Sequence, residues 1–315
     1  MPFPDTRDAS SGARPHPAPS GHQPMALTLS VVTPSYNQAA FLGATVDSVL
    51  AQDLQGVQYQ VRDGASTDGT RALLQAYGDR LSWVSEPDGG QPDAIAKGFG
   101  ELGGDILGWL NSDDLYAPDA LATVREAFEA DLGLDVLYGG CHQVDAEGTR
   151  LSDYRTRPFR LPRLFWDNTI AQPAAFFRRR AWDTVGGFTP GLQCAFDYDL
   201  WLRMALAGCR FRYLPVTLAA FRLHGASKSL GQPARCDTEL AQVLTRTLHH
   251  PRLRNLLGAA YASTRARMHL RMARLAYLHG NPQTCRRHCL RALMWHPPLA
   301  AMSPVVAMLA RGSKG

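Results

Sequence analysis

Hydrophobic and polar positions along the first third of the chain alternate between a strand period and a helix period. A short β-branched apolar run that ends before Pro34 predicts a strand, and the apolar positions that follow it recur at helical spacing. The pattern then repeats. The predicted strands are 27–33, 59–62, 81–85 and 106–110, and the predicted helices are 39–52, 70–77 and 92–102.

Strands that alternate with helices predict a mostly parallel sheet flanked by helices, with right-handed crossovers. In such a sheet the loops that follow the strands emerge at one edge, which is where open α/β sheets bind their ligands. The sequence therefore predicts an α/β fold with a site built from the loops 33–37, 63–69, 86–91 and 111–114.

The sequence pattern differs in two regions, the chain past Pro233 and the first 25 residues. A helix to about Glu129, a strand at 135–139, a segment at 169–177 and a helix at 198–207 complete the α/β body, whereas the chain past Pro233 has only helical patterns, at 234–249, 253–279 and 282–295. Residues 1–25 hold six Pro among small and polar residues, which predicts disorder. We therefore expect a disordered segment 1–25, a catalytic domain 26–233 and a basic helical extension 234–315.

Charge is distributed unevenly along the chain. From Arg235 onward there are 13 Lys and Arg against two acids, whereas the first 234 residues carry 20 against 26. Because the basic residues lie apart from the loops named above, they suit an anionic lipid surface, a protein partner or RNA better than a nucleic-acid active site, and we favour lipid. No nucleic-acid substrate is expected. Scattered Cys and the absence of a secretory signal predict a cytoplasmic protein, peripheral at the inner face of the membrane if the extension binds lipid.

The first two loops carry residue types that suit a nucleotide. Thr33, Pro34, Tyr36 and Asn37 stand at the mouth of a helix, where free N–H groups favour phosphate, although an ordinary helix cap explains them equally well. In the second loop, capping explains Asp68 but not Asp63, whose carboxylate at a strand end can accept from the ring N–H of a base.

The fourth loop places two adjacent carboxylates, Asp113 and Asp114, at the end of an apolar strand. We expect both to face the pocket, where they would repel a diphosphate unless a divalent cation, Mg²⁺ or Mn²⁺, lay between them. That cation would also stabilise a departing nucleoside diphosphate. A pair of helix-capping acids is the alternative interpretation.

Together the segments Thr33–Asn37, Asp63–Thr70 and Glu86–Gly98 resemble family 2 glycosyltransferases of the GT-A fold, from about Leu27 to Ser229. The resemblance implies an inverting enzyme with a mostly parallel GT-A sheet. It assigns base recognition, usually of uracil, to Asp63. It further implies a base and ribose pocket lined by Thr33, Pro34, Tyr36 and Asn37, and nucleotide or diphosphate contacts from Asp88 and Lys97. An exposed helix cation is the alternative for Lys97.

The resemblance also assigns the metal site and the base. The run Asn111, Ser112, Asp113, Asp114 matches the family's DxD motif, with Asn111 in place of the first Asp, which implies weaker metal binding. Asp197 matches the residue that deprotonates the acceptor hydroxyl. His224 would contact the metal or diphosphate, and Ser227–Ser229 would close as a lid; a surface or core histidine is the alternative.

Three functions fit these residues. The favoured one is transfer of a sugar from a nucleotide-diphospho-sugar, a UDP-sugar by the family's usual base, to a hydroxyl acceptor in cell-surface polysaccharide or glycolipid synthesis. The acceptor would be a saccharide or a lipid-linked saccharide. A nucleotidyltransferase would need a Gly-rich basic loop in place of Thr33–Asn37. A non-catalytic sugar-nucleotide-binding scaffold is favoured only by Asn111 and by Phe196, which replaces an acidic residue of the family motif.

Overall fold

The computed structural model describes residues 27–225 and 231–298. Its strands are β1 Leu29–Ser35, β2 Val57–Asp63, β3 Ser82–Ser85, β4 Ile106–Trp109, β5 Leu115–Tyr116, β6 Val136–Val144, β7 Arg150–Asp153, β8 Ala175–Arg178 and β9 Phe211–Arg222. Its α-helices are α1 Ala39–Leu50, α2 Thr70–Ala76, α3 Gln91–Glu101, α4 Ala120–Glu129, α5 Leu161–Leu164, α6 Arg179–Val185, α7 Phe196–Ala207, α8 Pro233–Leu248, α9 Leu253–Leu257, α10 Tyr261–Leu278 and α11 Pro282–Trp295. The predicted disorder of 1–25 and the predicted lid Ser227–Ser229 lie outside the described residues.

One mixed sheet holds all of these strands, in the order β3-β2-β1-β4-β8-β6-β9-β5 with β7 beside β6. The strands β3, β2, β1 and β4 run parallel, as predicted, and β1 is buried along its whole length, which is typical of a parallel strand covered on both faces. Beyond β4 the sheet is mixed, because β8 runs antiparallel to both β4 and β6. The loops after β1, β2, β3 and β4 therefore share one edge, and the mixed half stands beside them.

The C-terminal helices share the core of the α/β body. Val243 and Leu244 of α8 and Met268 of α10 belong to the same buried cluster as Trp109 of β4 and Trp201 of α7. Burial of this apolar surface stabilises the body and the helices together, since each covers the other. The helices α8, α9 and α10 are thus packed against the core of the body, and α11 packs against α10, which their composition alone did not predict.

One helix boundary differs from the prediction. The sequence pattern predicts a single helix over 253–279, whereas the chain breaks into α9 and α10 at Gly258, whose φ of +49° lies in the left-handed region. The break lets α10 turn back against α11 and the body. Across the described residues, no helix is long and apolar enough to cross a bilayer.

Candidate active site

A cleft of about 990 Å³ opens along the edge where the parallel strands end. Its walls come from both halves of the molecule, because residues of the loops after β1, β3 and β4 face residues that precede and begin α7. The predicted site residues that line it are Pro34, Tyr36, Asp88, Asn111, Ser112, Asp113 and Asp197. The remaining predicted residues lie behind or beside this wall.

The loop after β1 divides the four residues assigned to the nucleotide pocket. Pro34 and Tyr36 line the cleft, and Tyr36 is 65% exposed, which leaves its ring accessible for stacking on a base. Thr33 is buried and accepts a hydrogen bond of 3.1 Å from the Tyr59 hydroxyl. Asn37 has φ of +52°, and its Oδ1 accepts from the N–H of Thr67 at 2.9 Å. Thr33 and Asn37 therefore hold the wall rather than form its surface.

Asp63 is behind the cleft wall, in contrast to the expectation of a carboxylate open to a base. It is 2% exposed, and both of its oxygens accept hydrogen bonds. Oδ1 accepts from the Ser66 hydroxyl at 2.5 Å, and Oδ2 accepts from the Ser66 N–H at 3.0 Å and the Ser85 hydroxyl at 2.6 Å. In this arrangement Asp63 ties the loop after β2 to the end of β3.

Asp88 lines the cleft and Lys97 does not. The carboxylate of Asp88 accepts from the Gly90 N–H at 2.8 Å and packs against Gly64, where an added Cβ would lie 2.9 Å from Asp88 Oδ2. Lys97 pairs with Asp93 at 3.1 Å and with Glu86 at 3.6 Å, outside the cleft. The structure thus favours the exposed-cation interpretation of Lys97 over a diphosphate contact.

Asn111 joins three parts of the site through its amide group. Its Nδ2 donates to Gln172 Oε1 at 2.9 Å and to Asp114 Oδ2 at 3.0 Å, and its Oδ1 accepts from Gln91 Nε2 at 2.6 Å. An aspartate would accept from Gln91 but could not donate to the other two groups. Hydrogen bonding to Gln172 and Asp114 therefore explains why an amide stands at position 111, which the sequence alone did not reveal.

The two adjacent aspartates point in different directions, so the expectation that both face the cleft is wrong for Asp114. Asp114 is 0% exposed, and its oxygens accept from the backbone N–H of Arg222 at 3.0 Å and from Asn111. Burial, and secondarily the charge of Asp113, raises the pKa of Asp114 well above its usual range. Asp113 lines the cleft, and its Oδ2 lies 2.9 Å from His224 Nε2.

Asp113 and His224 are the residues that fit a divalent cation. Within 27–225 and 231–298, no three His, Cys, Asp or Glu side chains converge in a cage for a metal. Mg²⁺ and similar cations are, however, commonly held by one or two carboxylates together with substrate phosphates and water. One carboxylate at the cleft wall, with the buried imidazole of His224 behind it, is consistent with that kind of open site, and Asp114 is not part of it.

Asp197 begins the opposite wall, in the first turn of α7. Its Oδ1 accepts from the Tyr198 N–H at 2.6 Å. Burial raises the pKa of Asp197 to about 6, although backbone N–H groups oppose the shift. By contrast Asp199 is a structural residue, buried between Arg203 at 2.7 Å and Arg246 of α8.

Sequence reasoning missed two contributions of the C-terminal helices. Arg271 of α10 lines the cleft and donates to the Tyr198 hydroxyl at 3.1 Å, and Glu239 of α8 accepts from the backbone just before α7. On an amphipathic helix, single charged residues such as these look like ordinary surface positions. The one available signal is that Glu239 is one of only two acids in a strongly basic region.

The sequence matches the family model described as "Glycosyl transferase family 2" over residues 30–186. It is 28% identical over 205 residues to a chondroitin synthase of Escherichia coli, an alignment that covers 64% of this chain and 30% of that protein. It is 28% identical to a hyaluronan synthase of Pasteurella multocida, across 64% of this chain and 21% of that protein. The chain thus spans less than a third of these relatives. A "PGL/p-HBAD biosynthesis glycosyltransferase" of Mycobacterium bovis is 29% identical over 203 residues, covering 62% of this chain and 77% of that one.

Solved structures with a similar fold extend the match to the C-terminal helices. A mannosyltransferase of Pyrobaculum calidifontis in complex with GDP-Man and Mn²⁺ has a TM-score of 0.62 at 21% identity, covering 92% of this chain and 80% of that one. S. aureus TarS 1-349 in complex with UDP-GlcNAc has a TM-score of 0.57 at 15% identity, covering 91% and 92%. The predicted GT-A fold with a C-terminal helical region is confirmed.

Proposed function

Because the chain belongs to glycosyl transferase family 2, we propose that it transfers a sugar from a nucleotide-diphospho-sugar to a hydroxyl acceptor with inversion at the anomeric carbon. The observation that carries this proposal is that Asp197 lines the same cleft as Asp113 and that burial raises the pKa of Asp197 to about 6. A carboxylate with that pKa is ionised at neutral pH and still a useful proton acceptor.

In the proposed reaction the acceptor hydroxyl attacks the anomeric carbon from the side opposite the diphosphate. Asp197 takes the hydroxyl proton as the new carbon–oxygen bond forms, and the bond to the diphosphate oxygen breaks with its electron pair leaving on the nucleoside diphosphate. This single displacement inverts the configuration. Tyr36 and Pro34 would hold the nucleoside, and Asp88 would contact it from the neighbouring loop.

We assign the cation site to Asp113 and His224, with Ser112 beside them in the cleft wall. A bound Mn²⁺ or Mg²⁺ would neutralise the diphosphate as negative charge develops on it. The Mn²⁺ in the complex of the mannosyltransferase that shares this fold supports the use of a divalent cation. Asp114 and Asp63 would act indirectly, by fixing the turn after β4 and the loop after β2.

A UDP-sugar is the donor that we propose, with a saccharide or lipid-linked saccharide as acceptor in cell-surface polysaccharide or glycolipid synthesis. Relatives named as chondroitin and hyaluronan synthases support a saccharide acceptor. The scaffold alternative loses one of its two supports, because Asn111 has the structural role described above. A panel of nucleotide sugars, assayed for nucleoside diphosphate release with Mn²⁺, Mg²⁺ or chelator, tests the proposal. Release from none of them, with no thermal stabilisation by any nucleotide, would refute it.

Peripheral contact with an anionic membrane is a second proposal, supported by the outer face of α11. Leu290 and Met294 are 54% and 75% exposed and lie beside Arg287 and Arg291. Exposed apolar side chains flanked by arginines suit the interface of an anionic bilayer. Leu290→Glu with Met294→Glu should reduce sedimentation with phosphatidylserine vesicles, whereas equal sedimentation of variant and wild type would contradict the contact.

A further inference from the structure

A second, smaller cavity of about 320 Å³ is lined mostly by arginine. Arg155 and Arg157 follow β7, Arg163 belongs to α5, and Trp166 and Asp167 complete the wall. Three guanidinium groups against one carboxylate give this cavity, which we call the arginine pocket, a net positive charge. A positively charged cavity attracts anionic groups.

The arginine side chains of the pocket form no salt bridge with another side chain among the described residues. In the part of the chain that the structure describes, no ion pair or hydrogen bond engages the guanidinium of Arg155, Arg157 or Arg163. Arg163 instead lies over the Trp166 ring, 5.9 Å from its centroid, and Arg267 of α10 lies 4.8 Å from the same centroid. Two guanidinium groups thus lie over the Trp166 ring, at a wall that Arg155 and Arg157 also line.

The arginine pocket adjoins the Asp197 side of the active-site cleft. Asp167 lines the pocket and the next residue, Asn168, lines the cleft. Arg267, at the pocket's tryptophan, and Arg271, in the cleft wall, are one helical turn apart on α10. Arg271 in turn reaches the hydroxyl of Tyr198, the residue after Asp197. Basic side chains thus run from the proposed base towards the pocket.

We infer that the arginine pocket binds an acidic group, a carboxylate or a phosphate, on the saccharide acceptor. This inference rests on the proposed function, and it narrows the acceptor class to an acidic glycan. Arginine forks bind carboxylate and phosphate oxygens in pairs, which suits an acidic group carried on a sugar. The acceptor end in the cleft would supply the hydroxyl to Asp197 while a preceding residue occupies the pocket.

Direct binding of defined oligosaccharides to the full chain tests the inference. The carboxylate pair is tetragalacturonate and its methyl ester, and the phosphate pair is 6-phosphorylated maltotetraose and maltotetraose itself, all measured by calorimetry at low ionic strength. We expect at least one acidic probe to bind about tenfold or more tightly than its neutral counterpart, because charge-assisted bonds to arginine are lost in the neutral form. The acidic probe that binds identifies the group.

The variant Arg155→Gln, Arg157→Gln, Arg163→Gln should lose that preference. The matched control is Arg252→Gln, Arg254→Gln, Arg286→Gln, which removes the same charge from exposed arginines outside the pocket and should keep it. If the triple variant has a lowered melting temperature, the same binding measurement is made on the variant Arg155→Gln, Arg157→Gln, in which both substituted residues are exposed. Equal binding of acidic and neutral probes by wild type, or equal losses in variant and control, overturns the inference.

Nucleotide-sugar hydrolysis by the same wild-type preparation separates the two proposals. Hydrolysis without preference for an acidic probe overturns the arginine pocket alone. Absence of hydrolysis and of nucleotide binding overturns the proposed function, whatever the oligosaccharides do.

Discussion

The carboxylate of Glu239 on α8 accepts a hydrogen bond of 2.6 Å from the backbone N–H of Cys194, in the loop just before α7. The same oxygen accepts from Gln193 at 2.9 Å and from Ala195 at 3.1 Å. Burial opposes ionisation of Glu239, but these backbone N–H groups hold its pKa below the ordinary value. Because the loop leads directly into Asp197, we assign Glu239 as a positioning residue for the proposed base.

Glu239→Gln should lower kcat more than it raises KM for the donor. A single amide oxygen accepts these N–H groups more weakly than a carboxylate, so the start of α7 should shift, and we expect kcat to fall about tenfold. Glu101→Gln, which weakens the pair of this half-exposed carboxylate with buried Arg62 outside the cleft, is the control for a general loss of stability. Unchanged kcat in a variant of lowered melting temperature would leave Glu239 with a structural role only.

Asp197→Asn should abolish sugar transfer while nucleotide affinity stays near that of wild type. Without a carboxylate the acceptor proton has no base, and the expected loss is about a hundredfold or more. Transfer by product analysis and donor binding by calorimetry measure the two effects. A variant that keeps more than a few per cent of activity would move the base to another residue.

Activity should depend on pH through Asp197. Since burial raises the pKa of this carboxyl to about 6, kcat should fall as the pH decreases below that value. The free energy of unfolding should change in the opposite direction and fall as the pH rises from the ordinary pKa of a carboxyl to about 6. In that range the folded state binds the proton of Asp197 more tightly than the unfolded state does. Asp197→Asn should therefore melt at a higher temperature than wild type at pH 8 and at a similar temperature at pH 4. A variant that is less stable than wild type at pH 8 would contradict the burial of this charge.

Asn111→Asp should destabilise the protein without tightening Mn²⁺ binding. It restores the acid of the family motif, but it replaces the amide that donates to Gln172 and to buried Asp114. A second acid beside the fully buried Asp114 should cost on the order of 2–4 kcal/mol of unfolding free energy. Asn255→Asp, at an exposed position, is the matched control. Tighter Mn²⁺ binding at unchanged stability would show that Asn111 limits the cation site.

The sequence predicted the parallel strands and the edge where their loops meet, because period and turn residues are local properties. It did not predict which way side chains point within those loops. Asp63 is held by Ser85, 22 residues away, and Asp114 by the Arg222 N–H, 108 residues away. No local pattern encodes such partners. Adjacent acids therefore looked equivalent in the sequence, although one lines the cleft and the other is fully buried.

The packing of the C-terminal helices was hidden for the same reason. Their patterns showed an apolar face but not the surface that it covers, so the extension looked like a separate basic tail. Val243 and Met268 lie in one core with Trp201, Glu239 contacts the loop before α7, and Arg271 contacts α7. Removal of 235–315 would expose that core, and so it cannot test membrane contact, whereas substitutions on the outer face of α11 can.

The shared core also bears on how such a protein can diversify. The proposed donor contacts come from the loops after β1, β3 and β4, whereas the wall around Asp197 is completed by α8 and α10. Substitutions on those helices can therefore alter acceptor preference without touching the nucleotide pocket. They remain constrained by folding, because the same helices share the core of the α/β body. Acceptor preference in this chain can thus change through single substitutions at the rim of the cleft. Replacement of the whole helices by those of a relative would instead disrupt the core that they share with the body.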